Sequence, residues 1–461
     1  MSASLDTALA HIDKNLDASL ERLFALLRIE SISTDLAYKQ ACRDAGQYLV
    51  DELTSLGFDA SLRDTPGHPM VVAHHDGPAD APHVLFYGHY DVQPIDPIEL
   101  WDNPPFEPVV KERDGAKRIH ARGASDDKGQ LMTFVEACRA WKETSGTLPC
   151  RVSILFEGEE ESGSPSLEPF LEAAAQELKA DIALVCDTGM WDRNTPAITV
   201  SLRGMATSEV TIHAANRDLH SGFYGGAAQN PIHILSKVLA DLHDTDGGVT
   251  LEGFYDGVEE VPEDVKAVWN SLGFSEAEFL GDIGLSVPSG EKGRSILEQT
   301  WARPTAEVNG ITGGYTGEGF KTVIAAQASA KVSFRLVGKQ DPHKVHAAFR
   351  KHIEARLPAD CRYDYIEHGS GPATQLDWDL PQVKLAADAL SDEWEKESVR
   401  IAMGGSIPIV GNFKDQLGMD SLLIGFALPD NAIHSPNEKY DLKSFHKGTR
   451  SWARVLEALA Q

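Results

Sequence analysis

Two histidines and a scatter of acids stand in this sequence where a metal could be held. His89 and Asp91 lie two residues apart in Gly88-His89-Tyr90-Asp91, and Asp126 and Asp127 adjoin in Arg122-Gly-Ala-Ser-Asp126-Asp127-Lys128-Gly129. Glu159, Glu160 and Glu161 run together before Ser162-Gly163. Asp187 sits in Cys186-Asp187-Thr188-Gly189, and His434 in Asn431-Ala-Ile-His434-Ser-Pro-Asn-Glu438. Residues two apart in an extended segment point the same way, so Asp91 can accept a hydrogen bond from His89, fixing its tautomer and raising its basicity. Three glutamates directly after an apolar strand cost desolvation and mutual repulsion unless a cation offsets them. Imidazole nitrogens and carboxylate oxygens are the donors that suit paired divalent ions. Two such ions, about 4 Å apart, need a shared carboxylate, terminal donors for each and a bridging water. One more carboxylate must stay off the ions to take the proton from that water. Taken singly, each motif has a plainer reading, as a surface histidine or a solvated acidic face. Their conjunction points to metal-assisted hydrolysis.

The elements that must position these residues alternate along the chain. Leu5, Leu9, Ile12, Leu16, Leu20, Leu23 and Leu27 recur at three- and four-residue steps and predict an amphipathic opening helix. His83 to Gly88, Arg151 to Phe156 and Ile182 to Cys186 read as buried strands. Gly129 to Lys142 and Ser166 to Leu178 read as the helices between them. Strands alternating with helices imply a largely parallel sheet, and ligands gather at the carboxyl ends of such strands, where these acids and histidines stand. Near residue 200 the pattern changes: Thr199 to Leu202 and Ser208 to His213 alternate as half-exposed strands would. A helix at Pro231 to Leu242, a Gly/Glu/Asp-rich stretch to about 295, strands at Val323 to Ala328 and Ala330 to Val337, and a helix at His343 to Leu357 follow. The α/β pattern resumes after about 382 with a helix at Val383 to Leu390 and a strand at Ser421 to Ile424. The expected architecture is an α/β domain with a mainly parallel sheet, residues 1–198 and 382–461, interrupted by a smaller α+β domain, 199–381. A chain of 461 residues exceeds what one core usually supports, which fits two domains.

Read in order, Gly-His-Tyr-Asp-Val-Gln-Pro, Gly-Ala-Ser-Asp-Asp-Lys-Gly, Glu-Gly-Glu-Glu-Glu-Ser-Gly-Ser, Arg-Asp-Leu-His-Ser-Gly and Ala-Ile-His-Ser-Pro-Asn-Glu resemble the carnosinase and bacterial dipeptidase branch of the co-catalytic zinc peptidases. The resemblance runs over nearly the whole chain. It implies two zinc ions per subunit, with manganese or cobalt as substitutes, and a dipeptide substrate. It implies that Asp126 bridges the ions, His89 and Asp187 complete one site, and Glu161 and His434 the other. Glu160 would be the general base, Asp91 the residue orienting His89, and the Asp126-Asp127 peptide bond would be cis. Glu159 falls at a variable position of the pattern and receives no role. His220, in Arg217-Asp-Leu-His220-Ser-Gly, resembles an inserted-domain histidine that polarises the scissile carbonyl in the partner subunit's site. That would make the inserted domain a lid and dimer interface, and the protein a homodimer. Arg335, Thr322, Gly405 and Ser406 resemble positions that hold the substrate carboxylate, a task suited to a bidentate guanidinium.

Composition narrows the field without naming a reaction. Forty-two basic against 70 acidic residues leave a formal charge of −28, which repels phosphate backbones and anionic lipid. Nucleic acid and membrane surfaces are therefore not expected partners. Five cysteines without a Cys-x-x-Cys pair fit reduced thiols, the acidic opening segment is unlike a signal peptide, and the cytoplasm is the expected compartment. Gly314 to Thr322 comes close to a phosphate-binding loop, but Phe320 stands where the lysine belongs. Two other functions stay open at this point. One is removal of an acyl group from an N-acyl amino acid by the same metal set, and the other is a non-catalytic binding protein on the same fold.

Overall fold

An apolar run such as Val84-Leu85-Phe86-Tyr87 has no face it can leave in water, so it belongs inside a sheet covered on both sides. A computed structural model, describing residues 3–377, 380–405 and 407–461, places it there. The chain forms two compact units, the first from residues 1–200, 376–401 and 412–461 and the second from 201–375 and 402–411.

The first unit holds β1 (Asp59–Arg63), β2 (Met70–His75), β3 (His83–His89), β4 (Val109–Arg113), β5 (Ala116–His120), β6 (Arg151–Glu157), β7 (Ile182–Val185) and the start of β8 (Ala197–Leu202). The second holds β9 (Gly204–His213), β10 (Leu219–His220), β11 (Thr305–Gly313), β12 (Val323–Ile324), β13 (Gln327–Leu336), β14 (Arg362–Gly371) and β15 (Thr374–Gln375). Then come β16 (Val399–Met403), β17 (Ser421–Leu423) and β18 (Lys439–Asp441). The main sheet runs β1-β2-β6-β3-β7-β17-β8. Its centre, from β6 through β3 and β7 to β17, is parallel, and its margins are antiparallel.

Helices α1 (Ala3–Lys14), α2 (Leu16–Leu27), α3 (Lys39–Ser55) and α4 (Lys128–Ser145), with Pro381–Trp394 and Leu442–Leu459, share one core. Val84 and Phe86 of β3 and Val152, Ile154 and Phe156 of β6 enter that core, as alternate residues of a strand must. Phe86 stacks on Phe134 of α4 at 3.8 Å, and Trp452 meets both rings edge-on at 5.4 and 5.6 Å. Leu85 and Tyr87 turn to the other face and are buried too, Tyr87 against Phe413. The single opening helix predicted from the leucine spacing is broken at Asn15, whose side-chain amide donates to His11 O at 2.9 Å and closes α1. Its apolar stripe still packs on the core through both pieces.

In the second unit an antiparallel sheet, β11-β13-β9-β14, buries every other residue of β9 under helices Pro231–Ala240 and Pro342–Glu354. The strand predicted at Val323 to Ala328 divides: Val323 and Ile324 pair with β10, and β13 begins only at Gln327. The Gly/Glu/Asp-rich stretch contains two short helices, Glu263–Ser271 and Glu276–Gly281. Among the described residues no helix is long and apolar enough to cross a membrane.

Candidate active site

The parallel register sets His89 opposite Glu157, so β3 and β6 end side by side. Past those ends the chain turns, and the turns carry the acids. β6 runs into a 3₁₀ turn, Glu160–Ser162; β7 runs into Asp187; and Asp126 and Asp127 stand just before α4, joined by a cis peptide bond.

Asp126 is the hub. Its Oδ1 lies 3.0 Å from His89 Nε2 and its Oδ2 lies 3.0 Å from His434 Nε2, which is itself 3.2 Å from Glu161 Oε2. Two donor triads result, His89–Asp126–Asp187 and Asp126–Glu161–His434, each with its donor atoms within 4.8 Å of one another. Donors about 2.0–2.1 Å from one ion in a tetrahedral shell stand roughly 3.3 Å apart. The 3.0–3.2 Å contacts around Asp126 are of that size, and the nitrogen and oxygen donors match a divalent ion of the zinc type. His434 is 53% exposed, the most open of the donors, and sits at φ 60°, a left-handed conformation that a histidine keeps only when its loop is held.

Charge crowding shows in the protonation of the group. Burial pushes the Glu160 carboxyl up to about 8, with Asp91, Glu161 and Asp126 adding to it against the opposing His89. Burial also raises Asp187 well above the carboxylate range. His434 is raised to about 10 by its hydrogen bonds to Asp126 and Glu161. His89 rises too, because Asp126 and Asp91 outweigh its burial. A cluster that holds protons this firmly is one in which positive charge is wanted.

The supports are mostly carboxylates bonded to backbone. Asp91 was expected to hold His89, and its carboxylate Oδ1 does lie 3.4 Å from His89 Nδ1, but the nearer acceptor is its own main-chain oxygen, at 3.1 Å. The Asp91 carboxylate accepts from Glu160 N at 3.2 Å, Glu161 N at 3.0 Å and Ser33 Oγ at 2.6 Å, so it also fixes the turn that carries both glutamates. Gln93 donates to Glu161 Oε2 at 2.7 Å, and Asp127 accepts from His89 N at 3.1 Å. Glu159 is buried and accepts from His68 N at 2.8 Å and Ser166 N at 2.5 Å. Glu438 accepts from the 122–126 loop. Of these, Asp127, Gln93, Glu159 and Glu438 lie inside or beside the motifs read from sequence, yet nothing in their types or spacing marks them as supports.

The other expected residues lie in the second unit. His220, exposed on β10, accepts from Gly222 N at 3.0 Å through Nδ1 and rests its ring near Phe223. Val323 is its partner across the pair, and the carbonyl of Thr322, one residue earlier, accepts from Ser221 N at 3.0 Å. Arg335 stands on β13 opposite Met205. Arg203, two residues before Met205 and unmarked by the sequence, donates to Gly404 O at 3.0 Å, and a side chain at 404 would lie 2.9 Å from its guanidinium. Burial, reinforced by the charge of Arg335 and opposed by Glu307, lowers Arg203 to about 10. Ser406 lies outside the described residues.

Known proteins resemble the chain over its whole length. The chain is 29% identical to the Cys-Gly metallodipeptidase dug1 of Schizosaccharomyces pombe over 100% of this chain and 99% of the relative. It is 27% identical to the human Beta-Ala-His dipeptidase over 100% of this chain and 93% of that one. The solved structure of the dipeptidase Dug1p from Saccharomyces cerevisiae superimposes with a TM-score of 0.86 at 28% identity, covering 100% of this chain and 99% of the other. Residues 85–458 match the description of peptidase family M20/M25/M40, and the chain belongs to that family.

Proposed function

We propose that this protein hydrolyses the peptide bond of dipeptides at a two-zinc centre in which Asp126 is shared, His89 and Asp187 complete one site, and Glu161 and His434 the other. The observation that carries the reading is the Asp126 carboxylate lying between two imidazoles, with a second acid beside each. The relatives named above are dipeptidases, which supports the substrate class. When bound, such an ion pair supplies a water of lowered pKa and a Lewis acid for the scissile carbonyl.

The chain's own residues do the rest. Glu160 takes the proton from the attacking water and returns it to the leaving amine. What supports Glu160 over its neighbours is that Glu159 is bound to His68 N and Ser166 N, and Glu161 to His434 and Gln93. Positive charge beside Glu160 would draw its carboxyl down from about 8, making it a base at neutral pH. Asp91 holds Glu160 and Glu161 by their amides and sits behind His89. His220 would polarise the carbonyl from the partner subunit of a homodimer, and Arg335, Thr322, Gly405 and Ser406 would hold the substrate carboxylate. Five free thiols, four of them buried, support a reducing, cytoplasmic setting.

The test is a panel of dipeptides, Cys-Gly and β-Ala-His among them, and N-acyl amino acids, run on metal-depleted and zinc-restored protein. Dipeptides should be cleaved only after zinc is restored. Glu160→Ala should keep its zinc and lose roughly 10²–10⁴-fold in kcat. Cleavage confined to N-acyl amino acids would replace the substrate class, and full activity of the Glu160→Ala protein would overturn the mechanism.

A further inference from the structure

Strand ends place His89 and Asp187, but Asp126 and His434 come from loops, and a loop needs something to hold it. We infer that Glu438 is the positioning residue that locks these two loops together and so sets the Asp126–Glu161–His434 site. The inference rests on the metal-centre reading above.

All four acceptor positions of the Glu438 carboxylate are used. Oε1 accepts from Ser125 N at 2.8 Å and from Asp126 N at 3.0 Å. Oε2 accepts from Gly123 N at 2.9 Å and from Arg122 Nη1 at 2.8 Å. Its main-chain oxygen accepts from Ala121 N at 3.3 Å. Glu438 side chain is 0% exposed and that of Arg122 1%. One side chain thus gathers the backbone that delivers Asp126. The same residue ends the loop that delivers His434, four positions earlier. That loop has Ala432, His434 and Asn437 all at positive φ, a path that relaxes unless both ends are fixed. Lys439 N closes it onto Asn431 O at 2.9 Å, and Asn431 Oδ1 accepts from Ser125 Oγ at 3.0 Å, a second tie between the loops. Acids that orient donors in this way govern metal affinity without touching the ion.

The geometry makes the effect unequal. Two of the three donors in Asp126–Glu161–His434 ride on loops that Glu438 holds, against one of three in His89–Asp126–Asp187. A carboxylate that only kept the fold together would lower stability and leave the two sites alike.

Metal-free wild type, Glu438→Gln and Glu438→Asp are titrated with zinc against a chromogenic chelator. Thermal midpoints without metal and kcat and KM at each zinc level are followed in parallel. Gln cannot accept where Arg122 and Gly123 donate; Asp keeps the charge but is one methylene short of the four donors. Wild type should take up two zinc ions. Glu438→Gln should bind one with near-normal affinity and the second 10–100-fold more weakly. Its kcat should follow occupancy of the weak site and recover as zinc is raised, with KM unchanged at saturation. Glu438→Asp should move the same way by less, and decides the matter if the Gln protein does not fold. Wild-type affinity at both sites, equal weakening at both, or a lowered midpoint with unaltered zinc binding would each overturn the role given to Glu438. A wild type that takes up no zinc would instead overturn the metal reading itself.

Discussion

Glu159, Glu160 and Glu161 are one residue type in one run, yet their surroundings give them three different tasks. Glu161 faces His434 and Gln93, Glu160 faces the cluster with its carboxyl pushed up to about 8, and Glu159 turns back into the fold. Removing the Glu159 carboxylate strands two buried amides, His68 N and Ser166 N, at about 1–3 kcal/mol for each donor left unpaired. Glu159→Ala should therefore lower the urea midpoint while zinc uptake, kcat and KM stay near wild type, whereas Glu160→Ala keeps its zinc and loses kcat. Loss of zinc uptake in a Glu159→Ala protein of unchanged stability would contradict this division. His89, Asp126, Glu161, Asp187 and His434 could be marked as candidate metal donors in the sequence by residue type and clustering, and the family resemblance chose among neighbouring acids. Their supports were legible only in part: Asp91 was read as the partner of His89, but not as the holder of the glutamate turn. Asp91 bonds to Glu160 N and Glu438 to Asp126 N, and a backbone amide has no letter in the sequence; only the folded path brings it to the acid.

At the scale of elements, the parallel strands and the helices between them could be read because their burial on both faces leaves long apolar runs. β11 and β14 are largely exposed, carry neither an apolar run nor the alternation that marked β9, and were not predicted. The leucine spacing of α1 and α2 carried across Asn15 because the stripe is continuous, although the helix is not. How α2 docks on α4 was equally hidden, since the pairing joins residues 114 positions apart. Glu136 of α4, 3% exposed, accepts two hydrogen bonds from the Arg22 guanidinium at 2.7 and 2.6 Å and one from Ser19 Oγ at 2.7 Å. Burial pushes the Glu136 carboxyl up, but Arg22, Arg139 and Ser19 together bring it below its ordinary 4.5. A folded pKa below the unfolded one means the pair stabilises the fold above about pH 4.5 and that this contribution fades as pH falls through the lowered value. Glu136→Gln should cost roughly 3 kcal/mol at neutral pH, because it leaves a part-buried guanidinium without its anion. The gap between wild type and variant should close on acidification below pH 4.5. Urea denaturation of both proteins from pH 7 to pH 3 checks this; a gap that stays constant or widens in acid would remove the ion pair as its cause.

At the scale of the whole molecule, the proposed metal donors belong to the first unit and His220, Thr322 and Arg335 to the second, so the proposed reaction needs both. His220 is exposed on a two-residue strand, and Phe223 beside it is 81% exposed, so neither packs into the core of its own unit. If His220 serves the partner's site, two variants that are each inactive must rescue one another. Glu160→Ala keeps its own His220 to lend; His220→Ala keeps its own Glu160 to use. Each alone should lose on the order of 10²-fold or more in kcat, as loss of a base or of an oxyanion donor does. Co-expressed in equal amounts, half of the dimers would be mixed and each mixed dimer would carry one complete site, so about a quarter of wild-type activity should return. Differently tagged chains let the mixed dimer be isolated, where the expected figure rises to about half, one site of two. Mixed dimers that stay as inactive as their parents would place His220 in its own chain's site, and a fully active His220→Ala protein would remove it from the reaction.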